Sequence, residues 1–206
     1  MSNFDASKSN LVILGKWNPA IVEPNWLKMQ FSDLIPDASF GMELVLGSPQ
    51  SVRYDLGQLT LECTNQQLLF RPKEFDVDAL TYTKNLAVGI FSKLKHTPIT
   101  ATGCNFIYNL DEKETFKHAY LKDISIYDEF YNGARLNNVT HSTVRHQLSF
   151  EYHTLTFLYT FQADLKTLQY NFEYKGDGCV ERASESMIEN YQETIKLNEY
   201  LIEAAI

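Results

Sequence analysis

The stretch from Gln147 to Tyr174 reads QLSFEYHTLTFLYTFQADLKTLQYNFEY and is the longest run of alternating apolar and polar residues in the chain. Apolar residues recur at every second position, which is typical of strands with one buried face. The ADLK break at 163–166 predicts a hairpin between strands 155–162 and 167–174, with a loop of about four residues. Residues 151–154 form either a further turn, which gives a three-stranded meander, or a bulge within one long strand.

The aromatic face of this meander needs a cover, and the final segment of the chain can supply it. Ser186 stands three residues before Glu189, which is the spacing of a capping box. A core-facing stripe then recurs at helical intervals, formed by Ile188, Tyr191, Ile195, Asn198 and Ile202. We predict an amphipathic helix over residues 183–203 that lies on the meander.

The first half of the chain has the same organisation. Alternating residues predict antiparallel strands at 11–14, 40–46, 52–56, 59–63 and 68–70. A helix follows, with Asp76 or Asp78 as its cap and with a core-facing stripe of Leu80, Ala87, Ile90, Phe91 and Leu94. Gly89 within this helix indicates close packing against the sheet. Further strands are predicted at 99–108, with a bulge at Gly103, and at 139–150, whose face of mixed polarity indicates partial burial.

Together these patterns predict an α+β fold with a twisted antiparallel sheet and two long helices packed on one face. The sheet comes from two halves, at about 9–97 and 98–206, each a β-meander followed by a helix. Residues 1–8 are polar and are expected to be disordered. Residues 9–206 are expected to form a single domain, since a chain of 206 residues can bury a substantial core.

Composition and charge restrict the classes of function. The formal net charge of −8 argues against direct binding of nucleic acid, since that affinity comes chiefly from clustered lysine and arginine. Cys63, Cys104 and Cys179 are odd in number and lack CxxC spacing, which indicates reduced thiols in a cytoplasmic protein. Since no apolar run approaches the roughly 20 residues that span a bilayer, we expect no membrane association.

Catalytic and cofactor motifs are absent from the sequence. It contains no GxGxxG, GxxxxGK[ST], HExxH or GxSxG pattern, so we predict no catalytic residue, no metal ligand and no cofactor. Cys104 is interpreted as a packed thiol rather than a nucleophile. The glycine-containing segment 176–179 is interpreted as a strand-to-helix loop rather than an anion site. The acidic residues between Asp111 and Glu129 are interpreted as a solvated face rather than a carboxylate metal group.

The two tryptophans, Trp17 and Trp26, flank a segment whose prolines and asparagines predict turns. Either both indoles fill the edge of the core, as most tryptophans do, or the loop is a contact surface, since tryptophan is enriched in interface hot spots. On the second interpretation the partner-binding residues are Trp17, Asn18, Pro19 and Trp26.

Three segments carry a resemblance to a known family: GKWNPAIVEPNWL (15–27), HTPITATGCNF (96–106) and LQYNFEY (168–174). They resemble members of a sporadically distributed, uncharacterised bacterial protein family, some of which are found beside mobile-element or phage-defence genes. The resemblance implies a bacterial cytosolic accessory or defence protein. Its motifs are structural, and it implies no catalytic residue.

Three functional hypotheses follow. The first is a non-enzymatic interaction or regulatory subunit that binds a protein partner or self-associates. The second is a small-molecule or nucleotide sensor, or an enzyme, with a ligand pocket between sheet and helices that is lined by Arg145, His146 and Tyr170. The third is an acidic surface that mimics nucleic acid and binds a basic DNA-handling protein.

Overall fold

A computed structural model of the chain describes residues 3–35, 40–45, 51–111, 114–116, 141–162 and 165–204. Several sequence-based expectations lie outside these ranges. They concern residues 163–164 of the predicted hairpin loop, most of the segment 111–135, and the acidic residues Asp123, Asp128 and Glu129.

Antiparallel strands dominate the fold. Within the described ranges ten strands form one sheet in the order β3-β4-β5-β6-β2-β7-β11-β10-β9, and β1 also pairs with β7. Their bounds are β1 Asn3–Phe4, β2 Asn10–Gly15, β3 Phe40–Val45, β4 Ser51–Leu56, β5 Leu59–Cys63, β6 Gln67–Pro72, β7 Ile99–Leu110, β9 His141–Ser149, β10 His153–Gln162 and β11 Leu165–Tyr174. Two short strands, β8 (Glu114–Phe116) and β12 (Ile202–Ala204), pair separately.

The two halves of the sheet meet at the β2/β7 pair in its centre. Strand β2 pairs with β6, the last strand of the first meander, and β7 pairs with β11, the last strand of the second. In each half, therefore, the first long strand pairs with the last strand of the meander that follows it. The segment after β9 is a turn and not a bulge, because β9, β10 and β11 are separate strands of a three-stranded meander.

Four helices occur in the described residues: α1 (Pro24–Gln30), α2 (Val77–Lys93), α3 (Cys179–Glu185) and α4 (Met187–Leu201). Asp76 caps α2 as predicted, since its Oδ1 accepts a hydrogen bond from the Ala79 N–H at 2.8 Å. Helix α2 packs on β6, α3 packs on β7 and β11, and α4 packs on β7. The fold is therefore α+β, with helices covering one face of the sheet. No helix in the part of the chain that the structure describes is long and apolar enough to cross a membrane.

The terminal helix differs from its prediction in three ways. It is divided at Ser186 into α3 and α4, and it ends at Leu201, after which residues 202–204 pair with β8. Its core-facing stripe agrees with the prediction in part, since Asn198 is buried and Ile188, Tyr191 and Ile202 pack against the core. Ile195, however, is exposed, and the other buried residues of α4 are Met187, Asn190 and Thr194. The reason is that the sheet presents tyrosine hydroxyls to α4, and these require polar partners.

The polar stripe of α4 meets three tyrosines of the sheet. Asn190 bonds to the Tyr174 hydroxyl, Thr194 to Tyr108 and Asn198 to Tyr170. The single Thr194 proton goes to the Tyr191 carbonyl, so Tyr108 is the donor in its bond to Thr194. Each turn of the buried face of α4 is thus hydrogen-bonded to β7 or β11.

The N-terminal segment, for which the sequence predicted disorder, makes contacts with the sheet and the core. Asn3 and Phe4 pair with the end of β7, and the Phe4 ring packs against three aromatic rings, those of Phe75, Tyr108 and Tyr191. Aromatic burial therefore offsets the entropy of ordering this short polar segment.

Smaller corrections concern local backbone features. The register irregularity lies beside Gly15 and not at Gly103. Gly89 makes room for the Phe31 ring rather than for the sheet. The β10/β11 ladder extends to the pair Gln162 and Leu165, so its loop is shorter than the predicted four residues.

Candidate functional site

The tryptophan loop contributes mainly to the core. Trp17 is 4% exposed and its Nε1 donates to the Ile13 carbonyl at 3.0 Å. Trp26 is half-buried, with its ring centroid 5.8 Å from that of Phe31. Asn18 is exposed, but its Oδ1 accepts from the Ala20 N–H and shapes the turn beside half-buried Pro19. These positions agree with the core interpretation of the two indoles.

The three residues predicted to line one ligand pocket do not lie together. Successive residues of a strand point to opposite faces, so Arg145 lies on the uncovered face while His146 points to the helix side. Tyr170 is fully buried on the helix side, and the Phe157 ring lies between it and His146, with centroid distances of 5.5 and 6.0 Å. The pocket hypothesis was wrong in this grouping, because it joined residues from both faces.

An exposed apolar surface lies instead at the end of β9. Leu148, Phe150 and Tyr152 are 54%, 49% and 59% exposed, and we call these three residues the β9 rim. Strand β9 is the last in the sheet, and β10 is its only partner strand among the described residues. The rim therefore borders a strand edge as well as an open apolar face.

Ring stacking and a tight turn hold the rim in place. The Phe150 N–H donates to the His153 carbonyl at 2.8 Å and closes the β9/β10 turn. The Phe150 ring stacks on His153 at 4.6 Å, and His153 stacks on Tyr174 at 5.2 Å. Burial lowers the pKa of His153, although the nearby Glu193 opposes this, so the stacked imidazole favours its neutral form. The rim is thus a preformed surface.

Among the described residues, β9 is an edge strand, and its own sequence carries few of the features that normally protect such strands. Exposed edges are normally blunted by several charges, by proline or by a bulge, because they pair readily with other strands. The sequence of β9, HSTVRHQLS, contains no proline, no acidic residue and a single arginine. Its pairing with β10 is regular from Ser149 to His141. This edge is therefore suited to pairing with a further strand.

A second feature lies on the face of the sheet that the helices leave uncovered. It belongs to the half of the sheet that does not contain β9. It is a cavity of about 600 Å³ lined by Ala6, Ser7, Arg53, Thr60, Arg71, Pro72 and Lys73. Glu62 Oε2 lies 3.0 Å from Arg71 Nη1 and 3.5 Å from Arg53 Nη2. Lys73 Nζ lies 2.7 Å from Asp55 Oδ1, and this hydrogen bond lowers the pKa of the Asp55 carboxyl. These ion pairs restrict the conformations of the Arg53, Arg71 and Lys73 side chains.

The thiols are packed inside the fold. All three cysteines are free and buried. Burial raises the pKa of Cys63 and of Cys104 to about 12, so neither forms a thiolate near neutral pH. In the ranges that the structure covers, no group of three or more histidine, cysteine or acidic side chains is placed to hold a metal ion.

Sequence reasoning missed both surfaces for identifiable reasons. The mixed polarity of the predicted strand 139–150 was a signal for the β9 rim, but it was interpreted only as partial burial. Arg71 and Lys73 of the cavity lie two residues apart at the end of β6, but Arg53 comes from β4, and no longer run of basic residues marks the three cations. The segment 176–179 joins β11 to α3, with Gly176 and Gly178 at positive φ, as its interpretation as a loop predicted.

Comparison with known proteins adds no family assignment: the chain matches neither a protein-family model nor the sequence of a curated protein.

Proposed function

We propose that this protein is a non-enzymatic interaction subunit whose contact surface is the β9 rim and its strand edge, and that a second copy of the chain occupies it. The exposure of Leu148, Phe150 and Tyr152 beside the last described strand of the sheet supports this. Patches of large apolar side chains beside an open edge are typical of protein contacts.

The chemistry of the strand favours self-pairing. Antiparallel pairing about a two-fold axis at Leu148 would join residues 147–149 of the two copies, since β9 ends at Ser149. It would place Leu148 against its own copy and the turn residue Phe150 near His146. It would also bring Arg145 close to Glu151, so the one formal charge of β9 would meet an opposite charge. Like charges would not face each other in this register. Because an isologous contact needs a self-complementary strand, a second copy fits this edge.

The added strand would contribute in two ways. Backbone groups of residues 147–149, on the side of β9 that faces away from β10, would form hydrogen bonds to the second copy, and the three rim side chains would leave water. Full burial of a large apolar side chain contributes about 1.5–3 kcal/mol, and a symmetric contact counts each side chain twice. This gain has to exceed the free-energy cost of association, which is several kcal/mol.

The cellular setting comes from the resemblance alone. The dimer would be a regulatory or scaffolding subunit of a bacterial cytosolic system, for example one that acts in phage defence. That setting stays a prediction.

A cysteine cross-linking experiment tests the contact and its register. Leu148→Cys would place two thiols opposite each other at the axis, close enough for a disulfide. Thr143→Cys is the control, since it is exposed on the same strand but would lie ten positions from its copy, roughly 30 Å away. The three native cysteines are buried and should not contribute.

We expect a disulfide-linked dimer from Leu148→Cys under mild oxidation, no dimer from Thr143→Cys, and a dimeric mass for the unmodified protein. A monomeric mass at all accessible concentrations would overturn the self-association. Equal cross-linking of both variants would indicate random collision and would overturn the register.

A further inference from the structure

A smaller cavity, of about 210 Å³, lies on the uncovered face of the sheet over strands β9, β10 and β11. Its described lining residues are Arg145, Thr156, Leu158, Gln169 and Asn171, and we call it the Leu158 cavity. Its volume is below the range of pockets for drug-sized ligands, roughly 300–1,000 Å³, so it suits a smaller molecule. The cavity is separate from the β9 rim, since Leu148 stands opposite the buried Leu155 and lies on the helix side.

The strand register sets the layout of this cavity. Arg145 pairs with Leu158, and Leu158 pairs with Gln169, so the three residues share one face in a single row. The row spans two strand separations, which is roughly 10 Å between its end residues. Half-buried Leu158 is therefore an apolar floor between a cation and an amide. Thr156 and Asn171, which pair with each other, lie in the adjacent row.

Arg145 supplies the only charge at the cavity among the described residues. It has no ion pair or side-chain hydrogen bond within the described part of the chain. The nearest acidic residue of this face on β11, Glu173, is paired with Lys175 at 2.8 Å. Glu151 lies in the turn beyond the end of β9. The neighbouring described residues of this face on the three strands are uncharged: Thr143, Gln147, Thr156, Leu158, Thr160, Thr167, Gln169 and Asn171.

Hydrogen bonds to β7 orient the two amides on the opposite side of the cavity. Asn105 Oδ1 accepts from Asn171 Nδ2 and, at 3.5 Å, from Gln169 Nε2. Asn105 in turn donates from its Nδ2 to Asn10 Oδ1 at 2.9 Å. Because both amide nitrogens are directed to Asn105, the carbonyl oxygens of Gln169 and Asn171 remain as acceptors, and they have no other partner among the described residues.

We infer that the Leu158 cavity binds a small hydroxy acid. Arginine presents paired N–H groups that match a carboxylate, so Arg145 would hold the acid group. The hydroxyl groups of the ligand would donate to Gln169 Oε1 and Asn171 Oδ1, and its carbon chain would lie on Leu158. Uncharged acceptors suit hydroxyls better than an ammonium group, which would leave water without an opposite charge.

This site does not depend on the proposed dimer, but the two would be coupled. In the dimer Glu151 of the second copy would approach Arg145 and compete with the carboxylate of the ligand. Binding is therefore measured with Glu151→Gln as well as with the unmodified protein, so that a competing carboxylate cannot conceal it.

Isothermal titration at low ionic strength tests the ligand class with three probes whose carbon chains have the same length. Gluconate carries a carboxylate and hydroxyls, hexanoate carries the carboxylate alone, and sorbitol carries the hydroxyls alone. Arg145→Gln removes the cation of the cavity. Lys93→Gln is its matched control, because Lys93 is an exposed cation at the end of α2, on the other face of the sheet. Gln169→Leu removes an acceptor and keeps the charge.

We expect gluconate to bind saturably and about tenfold more tightly than hexanoate or sorbitol, since each of these lacks one set of contacts. Arg145→Gln should weaken gluconate binding about tenfold, to the level of sorbitol, whereas Lys93→Gln should bind as the unmodified protein does. Gln169→Leu should reduce the preference for gluconate over hexanoate without weakening the binding of hexanoate.

Absence of gluconate binding to both the unmodified protein and Glu151→Gln would overturn the site. Equal affinities for gluconate and hexanoate would overturn the ligand class, because no hydroxyl would then be recognised. An equal loss in Arg145→Gln and Lys93→Gln would also overturn the site, since the effect would come from net charge. Thermal unfolding of each variant without a probe establishes that it is folded, so that lost binding can be assigned to the cavity.

Discussion

The Tyr170 hydroxyl donates a hydrogen bond to Oδ1 of Asn198 at 2.8 Å, which joins the centre of β11 to the last turn of α4. Both side chains are buried, so the bond forms away from water. A buried acceptor that loses its donor pays its full desolvation cost. The contact therefore fixes the position of α4 on the sheet and also contributes to the stability of this packing.

Tyr170→Phe should lower the free energy of unfolding by about 1–3 kcal/mol, because it leaves Asn198 Oδ1 without this donor. Urea denaturation measures the change. The double variant Tyr170→Phe with Asn198→Leu serves as the control, since replacing both partners by apolar groups should recover part of the loss. Additive losses in the double variant would show that the two side chains are not coupled.

Gly89→Ala should destabilise the protein although alanine favours helices. A methyl group at position 89 would lie 2.8 Å from Cε1 of the Phe31 ring. Overpacking of this kind costs about 1–3 kcal/mol, which exceeds the roughly 1 kcal/mol gained in helix propensity. Thermal unfolding should show a lower melting temperature, and Phe31→Leu in the same chain should reduce the penalty. A more stable single variant would contradict this packing.

Leu148→Glu should weaken the proposed dimer by about 100-fold or more, since two carboxylates would meet at the axis and two apolar side chains would be lost. Sedimentation velocity over a concentration series measures this effect. Met42→Glu is the matched control, because Met42 is also a large exposed apolar residue, 67% exposed against 54% for Leu148, and lies on β3 at the opposite end of the sheet. If Met42→Glu dissociates the dimer to the same degree, the contact is not at β9.

Asp5 should make stability depend on pH in the acidic range. Burial alone would raise its pKa, but hydrogen bonds from Ser7, Lys8 and Asn109 outweigh burial and lower the pKa from 3.8 to about 2. The stabilisation is therefore fully present above pH 3.8 and is lost as the pH falls towards 2.

Asp5→Asn should accordingly cost on the order of 1 kcal/mol above pH 3.8 and little near pH 2, since the side chain is partly solvated and its bonds are screened. Chemical denaturation of both proteins at the two pH values gives the difference. A cost independent of pH would mean that the charge of Asp5 contributes nothing.

The native thiols should not react with labelling reagents while the protein is folded. Because Cys63 and Cys104 are buried with a pKa of about 12, a thiol reagent at neutral pH should modify them only after denaturation. Comparing the rate of modification in native buffer with that in denaturant checks this. Rapid native labelling of Cys104 would contradict its packing beneath α3, where its Sγ lies 3.4 Å from the Ala183 carbonyl.

Residue patterns predicted the regular parts of the fold well. Alternation located the strands of both meanders, and Asp76 marked the start of α2. These features depend on local sequence, since burial on one face imposes a period of two residues on a strand and a cap requires one side chain.

Features that depend on distant partners could not be predicted in the same way. Strand β1 is only two residues long, and its packing depends on rings from three distant parts of the chain, β7, α4 and the segment between β6 and α2. The polar stripe of α4 can be buried only because tyrosines of β7 and β11 supply hydrogen-bond partners for it. Likewise, the cavity brings Ser7 close to Arg53 and Arg71, which alternation alone cannot do.

The central position of β2 has a consequence for how the chain is made. Leu11 and Ile13 are completely buried, yet their partner strands β6 and β7 end at Pro72 and Leu110, far later in the sequence. During synthesis β2 therefore stays unpaired, with its apolar face uncovered, until both β6 and β7 have left the ribosome. Contacts of such high sequence separation slow folding and prolong exposure to aggregation, so this chain should be a slow folder that benefits from chaperones.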